Sequence, residues 1–342
     1  MSCVYRPLLA IALLALALPA AAENAWVAST EIRIIDLERG DVIAHLDVAE
    51  DQVVAEIAFD RDGERAWVAS MGGLFPVDTA TLQPGTALSD RPTCSVSVAR
   101  GADRLAALHL PYPGEGLADR AQGLPARVTL QIYEASTGSP LAAHDLPGAP
   151  LRVRIAPDGE RIHVMDSKDA VLTVLDGAAN PLAELDLAPD VADDIPLMCT
   201  DLGQSPDGQQ LAVLRNGGAG AALVLVQPAT APRDSAVRVE DLGAVHRGRG
   251  AAFAPDGQSV HVSAIGHLVR WSGVGATPRW QDVGHQFSLV AAAPSGRYLV
   301  LASPTFDPGR GSGGVLIADP DGRPLRVVEL PDISPYTLAV QP

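Results

Sequence analysis

The stretch "APDGQSVHVSA", residues 254–264, decides the fold because it recurs along the chain. Close copies are "DRDGERAWVAS" at 60–70, "APDGERIHVMD" at 156–166, "SPDGQQLAVLR" at 205–215 and "APSGRYLVLAS" at 293–303, with a degenerate copy, "ARGADRLAALH", at 99–109. In each, a short turn leads into a run of apolar and β-branched residues. Asp-Gly suits a tight connection between antiparallel strands, since glycine takes a positive φ at little cost and aspartate caps its own turn. The turn positions 62, 101, 158, 207, 256 and 295 are spaced by 39, 57, 49, 49 and 39 residues, the length of a four-stranded unit.

Between the turns, runs such as "RIIDL", "RVTLQIY" and "AALVLVQ" read as short strands, and no stretch after Glu23 shows a sustained helical period. The ends complement each other. "NAWVAST" (24–30) is a second strand without a first, and "PYTLAVQP" (335–342) is a first strand without a second. Joined, they complete one more unit and remove the exposed edge of an open array. The expected fold is all-β: one seven-bladed β-propeller over residues 23–342, closed by the C-terminal strand joining the N-terminal blade.

Residues 1–22 are expected to be a signal peptide. Arg6 precedes the apolar run Leu8–Leu18, and Ala20, Ala21 and Ala22 form a small-residue cleavage pattern before Glu23. The run is too short for a membrane anchor, so the chain is read as exported to the periplasm. Losing Arg6 takes the formal net charge from −16 to about −17. Such an acidic surface repels phosphate backbones and argues against nucleic acid as a partner. Cys94 and Cys199 fall on non-neighbouring blades and are expected to be free thiols. The absence of Cys-x-x-Cys-His excludes covalent c-type haem on this chain, and no His-Glu-x-x-His zinc motif occurs, so neither metal nor cofactor is assigned to it.

The turn "SPDGxxxxV", together with "VDTATLQPG" (77–85), "YEASTGSPL" (133–141) and "IDLERGDVI" (35–43), resembles the YVTN repeat of bacterial periplasmic propellers. "GHQFSLVAAAPSGRYLVLAS" (284–303) and "HLVRWSG" (267–273) are partly similar to WD40 repeats, with Ser272 where the aspartate of the Trp-Asp pair would stand. The WD40 resemblance implies a framework role for His246 and His285, each ten residues before the second turn position. His246 would join a hydrogen-bonded chain with Ser263 and Trp271, and His285 one with Ser303. The competing reading makes both histidines ligand- or partner-binding, because they share a face with the long loops.

Two loops depart from the repeat, and departures are where binding is expected. "LPYPGEGLADRAQGLPAR" (110–127) carries Arg120, and "SPTFDPGRGSGG" (303–314) carries Arg310. An arginine among glycines suits a carboxylate or phosphate. Arg91 and Asp201, at the starts of inner strands, are candidates for the channel mouth. Asp193 and Asp194 read best as a solvated acidic linker.

Three functions follow. One is a periplasmic binding module that holds a partner protein or small ligand on its loop-rich face. A second rests on a diffuse resemblance of the blade-three insertion and "ARVTLQIYEASTGSPLAAHDLP" (126–147) to the propeller subunit of quinohaemoprotein amine dehydrogenase. That resemblance implies a non-catalytic subunit, with quinone and haem on its partners. The third is a lactonase-like hydrolase using His246, His285, Arg91 and Asp201. The isolated chain is expected not to be an enzyme.

Overall fold

A computed structural model describes residues 23–48, 52–112, 127–188, 197–217, 220–228, 236–242, 248–273, 276–307 and 312–342; residues 1–22, the expected signal peptide, lie outside them. All regular elements among the described residues are strands. Blade one holds β1 (Asn24–Ala28), β2 (Glu31–Asp36), β3 (Asp41–Asp47) and the C-terminal strand β26 (Thr337–Val340), in the order β26-β1-β2-β3. Blade two holds β4 (Val54–Phe59), β5 (Arg65–Ser70) and β6 (Gly73–Asp78). Blade three holds β7 (Thr93–Val98), β8 (Arg104–His109), β9 (Val128–Glu134) and β10 (Pro140–Leu146). Blade four holds β11 (Pro150–Ile155), β12 (Arg161–Asp166), β13 (Val171–Asp176) and β14 (Pro181–Asp186). Blade five holds β15 (Leu197–Gln204), β16 (Leu211–Gly217), β17 (Gly220–Gln227) and β18 (Ala236–Asp241). Blade six holds β19 (Gly248–Phe253), β20 (Val260–Trp271) and β21 (Arg279–Gln286), and blade seven holds β22 (Leu289–Ala292), β23 (Leu299–Asp307), β24 (Ser312–Ala318) and β25 (Pro324–Leu330).

The turns do what the sequence predicts. Gly63, Gly159, Gly208, Gly257 and Gly296 all adopt φ between 70° and 74°, the left-handed region where a side chain would be strained. The ends pair antiparallel, Ala25 with Val340 and Ala28 with Thr337. Glu23 adds a tie to blade seven, accepting the backbone N–H of Ser295 at 2.7 Å.

Two blades depart from four separate strands. In blade two the fourth position is reduced to isolated bridges, Leu74 to Ser89 and Val77 to Pro84. A proline there removes a ladder donor. In blade six, β20 fills both the second and third positions: its first half pairs with β19, its second with β21, and Gly266 sits between at φ 76°.

Burial confirms the ring independently of the ladders. The buried apolar residues divide into seven clusters, each bridging two adjacent blades. Trp26 and Ile32 of blade one meet Ile57 and Val68 of blade two, and Ala25 and Ile35 of blade one meet Val300 and Ile317 of blade seven. Because side chains alternate along a strand, each blade buries both faces, which is why its strands read as almost continuous apolar runs.

Candidate functional site

The seven inner strands surround a central channel of about 440 Å³. Its first polar layer arises from one repeated backbone feature. In five blades the ladder of the inner strand shifts register at the same place, between Val54 and Glu56, Thr93 and Ser95, Pro150 and Arg152, Cys199 and Asp201, and Gly248 and Gly250. A bulge re-aims the residue that follows it, and here that residue lies three before the end of its strand. Glu56, Arg152, Asp201 and Gly250 all line the channel.

The charges of this layer are committed to one another. Arg154 Nη1 lies 2.8 Å from Glu56 Oε1, and Arg152 Nε lies 3.5 Å from Asp201 Oδ1. The Ser95 hydroxyl donates to Glu56 and accepts the Val153 N–H at 3.0 Å. Val96 N–H donates to Glu56 at 3.1 Å, and Ala251 N–H to Asp201 at 2.9 Å. The network therefore stitches blades two to six around the axis. Burial pushes the Glu56 pKa up, but the Arg154 and Arg152 charges with the Ser95 and Val96 bonds outweigh it and hold the carboxyl below its ordinary value. For Arg152, burial lowers the pKa and the Glu56 and Asp201 charges more than restore it. The opposite wall, from blades seven and one, is apolar and uncharged, with Leu289, Val290, Leu338 and Ala339.

The loops joining second to third strands, and the starts of the inner strands, share one face, called here the loop face; the Asp-Gly turns lie on the other, the turn face. Beneath the loop face in blade three lies a buried polar chain. Thr93 donates its hydroxyl proton to the Arg91 carbonyl at 2.9 Å, so it accepts from His109 Nδ1 at 2.9 Å, and His109 Nε2 accepts from the Tyr133 hydroxyl at 2.8 Å. That arrangement requires a neutral imidazole. Burial, aided by the Arg91 charge, lowers the His109 pKa to about 4.

Asp201 lies in the channel as expected. Arg91 does not line it: its guanidinium stands over the Tyr112 ring, 5.4 Å from the centroid. His285 is exposed at the end of β21, edge-on to Phe287 with ring centroids 6.1 Å apart, so the buried position expected for it is not found. Ser303 is buried and accepts the Thr305 N–H at 3.2 Å. Among the described residues the Trp271 Nε1 is buried without a partner, and the Ser263 hydroxyl donates to the Gly250 carbonyl at 3.4 Å. His246, Arg120, Arg310, Asp193 and Asp194 lie outside the described residues. Of the set a lactonase-like site would need, Asp201, Arg91 and His285 are thus on three different parts of the molecule.

Sequence reading missed Glu56, Arg152 and Arg154, which look like ordinary strand residues in "VAEIAF" and "PLRVRI". It also missed two buried histidines, His163 and His261, at the same repeat position four residues after the turn glycine. Neither ring nitrogen of His163 has a partner, nor does His261 Nδ1. Burial holds both pKa values down to about 4. Cys94 and Cys199 are free and buried, and burial pushes both thiols up to about 12, so neither is a ready nucleophile. Among the described residues no three His, Cys, Asp or Glu side chains gather as a metal site, and no helix is long and apolar enough to cross a membrane.

No known protein family matches the chain, and no curated relative is found. Solved structures do resemble it. Hydrazine synthase of Kuenenia stuttgartiensis superposes with a TM-score of 0.64 at 14% identity, covering 83% of this chain and 88% of that one. A functionally unknown protein from Desulfotomaculum acetoxidans gives 0.64 at 13% identity, covering 93% and 98%. The Cps50 (Swd1) β-propeller domain of Myceliophteria thermophila gives 0.60 at 13% identity, covering 83% and 93%. At such identities the shared property is the propeller fold.

Proposed function

We infer that this protein is an exported, periplasmic interaction module that docks a partner protein on its loop face. One observation carries this reading. Four large apolar side chains are exposed on that face, Met71, Met198, Ile265 and Tyr336, with Met198 60% and Tyr336 59% accessible. The other large apolar side chains exposed among the described residues, Val42, Ile43, Leu141, Leu182, Trp280, Leu325 and Val327, lie singly or in pairs on the outer strands of separate blades. Exposed apolar side chains on the loop face of an acidic molecule suit a protein contact. The leader-type composition of residues 1–22 supports export.

The test is capture of the tagged protein from its own host's periplasm, beside a variant carrying Met71→Ser, Met198→Ser, Ile265→Thr and Tyr336→Ser. The expected result is a stoichiometric partner retained by the native chain and lost from the variant, with an unchanged melting curve. A partner that binds both alike would overturn the loop-face assignment. The eluate's visible spectrum separates two versions of the reading: haem or quinone absorbance in the partner would make the module a non-catalytic subunit of an amine-dehydrogenase-like oxidoreductase.

A further inference from the structure

Each blade ends in an outer strand whose far edge, among the described residues, pairs with no further strand. Such an edge presents open N–H and C=O groups to any other strand, and proteins blunt it with prolines and bulges. Four outer strands here carry that device near their starts. The ladder slips by one residue in β3, β10, β14 and β25, and the residue left over is Ile43, Leu141, Leu182 or Leu325. Three of these strands also begin with a proline, Pro140, Pro181 or Pro324. The bulge accounts for the exposure of the four apolar side chains, because the extra residue has no partner and turns out of the ladder. In blade six the pairing of β21 breaks between Asp282 and Gln286, and in blade two the outer position holds only isolated bridges.

β18 of blade five is the exception. Its six residues pair with β17 in unbroken register, from Ala236 opposite Gln227 to Asp241 opposite Ala222, and none is a proline. Among the described residues it is the outer strand with neither device. Val237 and Val239 pack on the core between blades four and five, so the alternation of a strand puts Arg238 and Glu240 on its other face. There the Arg238 Nε lies 2.5 Å from a Glu240 carboxylate oxygen.

This edge is complementary to itself. A second β18 laid antiparallel with Val239 facing Val239 sets Arg238 of each chain opposite Glu240 of the other, twice by symmetry. Open edge groups alternate along a strand, so the neighbouring symmetric registers are centred on Arg238 or on Glu240. Both set like charges face to face. The charge pattern therefore selects one register, and the occupant it selects is another copy of the same strand.

We propose that β18 is a self-association edge: two copies of the chain join antiparallel about Val239, and two four-stranded blades become one continuous sheet. The two loop faces then point in opposite directions and stay uncovered, so this assignment and docking on the loop face can fail separately. A six-residue strand pair buries less than a standard interface, and the dimer is accordingly weak, with a dissociation constant on the order of 100 µM.

The experiment is sedimentation equilibrium of the chain from residue 23 onward, at up to about 500 µM and in about 0.15 M salt, which screens repulsion between two acidic molecules beyond roughly 8 Å. The samples are the native chain, Arg238→Glu, Glu240→Arg and an equimolar mixture of the two variants, with melting curves to show that both variants are folded. The native chain is expected to dimerise. Each reversal is expected to weaken self-association about tenfold or more, since like charges then meet at both contacts. In the mixture the two carboxylates of one chain meet the two guanidiniums of the other, and dimer is expected to return. A native chain that stays monomeric, a dimer indifferent to either reversal, or a mixture of folded variants that stays monomeric would each overturn the proposal.

Discussion

The two ends of the channel are made from the same strands and differ in one respect: whether their charges are spoken for. Toward the loop face, Glu56, Arg152, Arg154 and Asp201 form two ion pairs supported by backbone N–H groups from β7, β15 and β19. Toward the turn face, Arg100 is exposed and has no ion pair or hydrogen-bond partner among the described residues. A buried charge with its counter-charge and hydrogen bonds in place is framework, because removing either partner strands the other. An exposed charge with no partner is hydrated and contributes little to the fold. A charged residue lining a pocket is therefore weak evidence of a site until its partners are counted.

The largest effect that would break this contrast is Glu56→Ala. It leaves Arg154 in the channel wall without a counter-charge and removes the acceptor for Ser95 and Val96 N–H. We expect a loss of about 3–5 kcal/mol in urea unfolding, as for a buried pair cut on one side. A loss below about 1 kcal/mol, the value of an exposed pair, would show that water reaches these charges.

Next in size is the acid response. His109, His163 and His261 have pKa values lowered by burial to about 4 from an ordinary 6.5. The unfolded chain takes up these protons first, so stability is full above about pH 6.5 and falls as the pH drops toward 4, by up to about 1.4 kcal/mol per pH unit for each histidine. Urea midpoints between pH 7 and 5 isolate this slope, because the carboxylates remain ionised there. His163→Leu should remove about a third of it. A slope unchanged by that substitution would mean that the ring finds water in the folded state.

The degree to which each end was legible follows from how local its cause is. A turn with its glycine at positive φ is a matter of four residues, so repeat spacing alone predicts the blade count, and the complementary ends predict the pairing of β1 with β26. Blade two shows the limit: its spacing of 39 residues allows a fourth strand, but Pro84 leaves isolated bridges. The polar layer was harder to see, since Glu56 and Arg154 meet only because the curvature of the ring brings blade four within reach of blade two past blade three. Asp201 was legible because it lies on an inner strand close to Cys199, whereas Arg91 stands before β7 and turns to Tyr112 instead. His285 misled because its place in a repeat says nothing about which way an outer-strand side chain points.

The smallest expected effect carries the most weight for the comparison. Arg100→Gln in the ligand-free protein should change stability by less than about 0.5 kcal/mol, the range of substitutions that break no named interaction. The physical reason is that the side chain is exposed and donates to no protein acceptor among the described residues, so replacing it removes no bond. Measured beside Glu56→Ala in the same urea series, a near-zero value would place the two ends of one channel in different categories, one serving the ring and the other solvated. A loss approaching that of Glu56→Ala would instead make Arg100 part of the same stitching, and the channel would then be framework along its whole length.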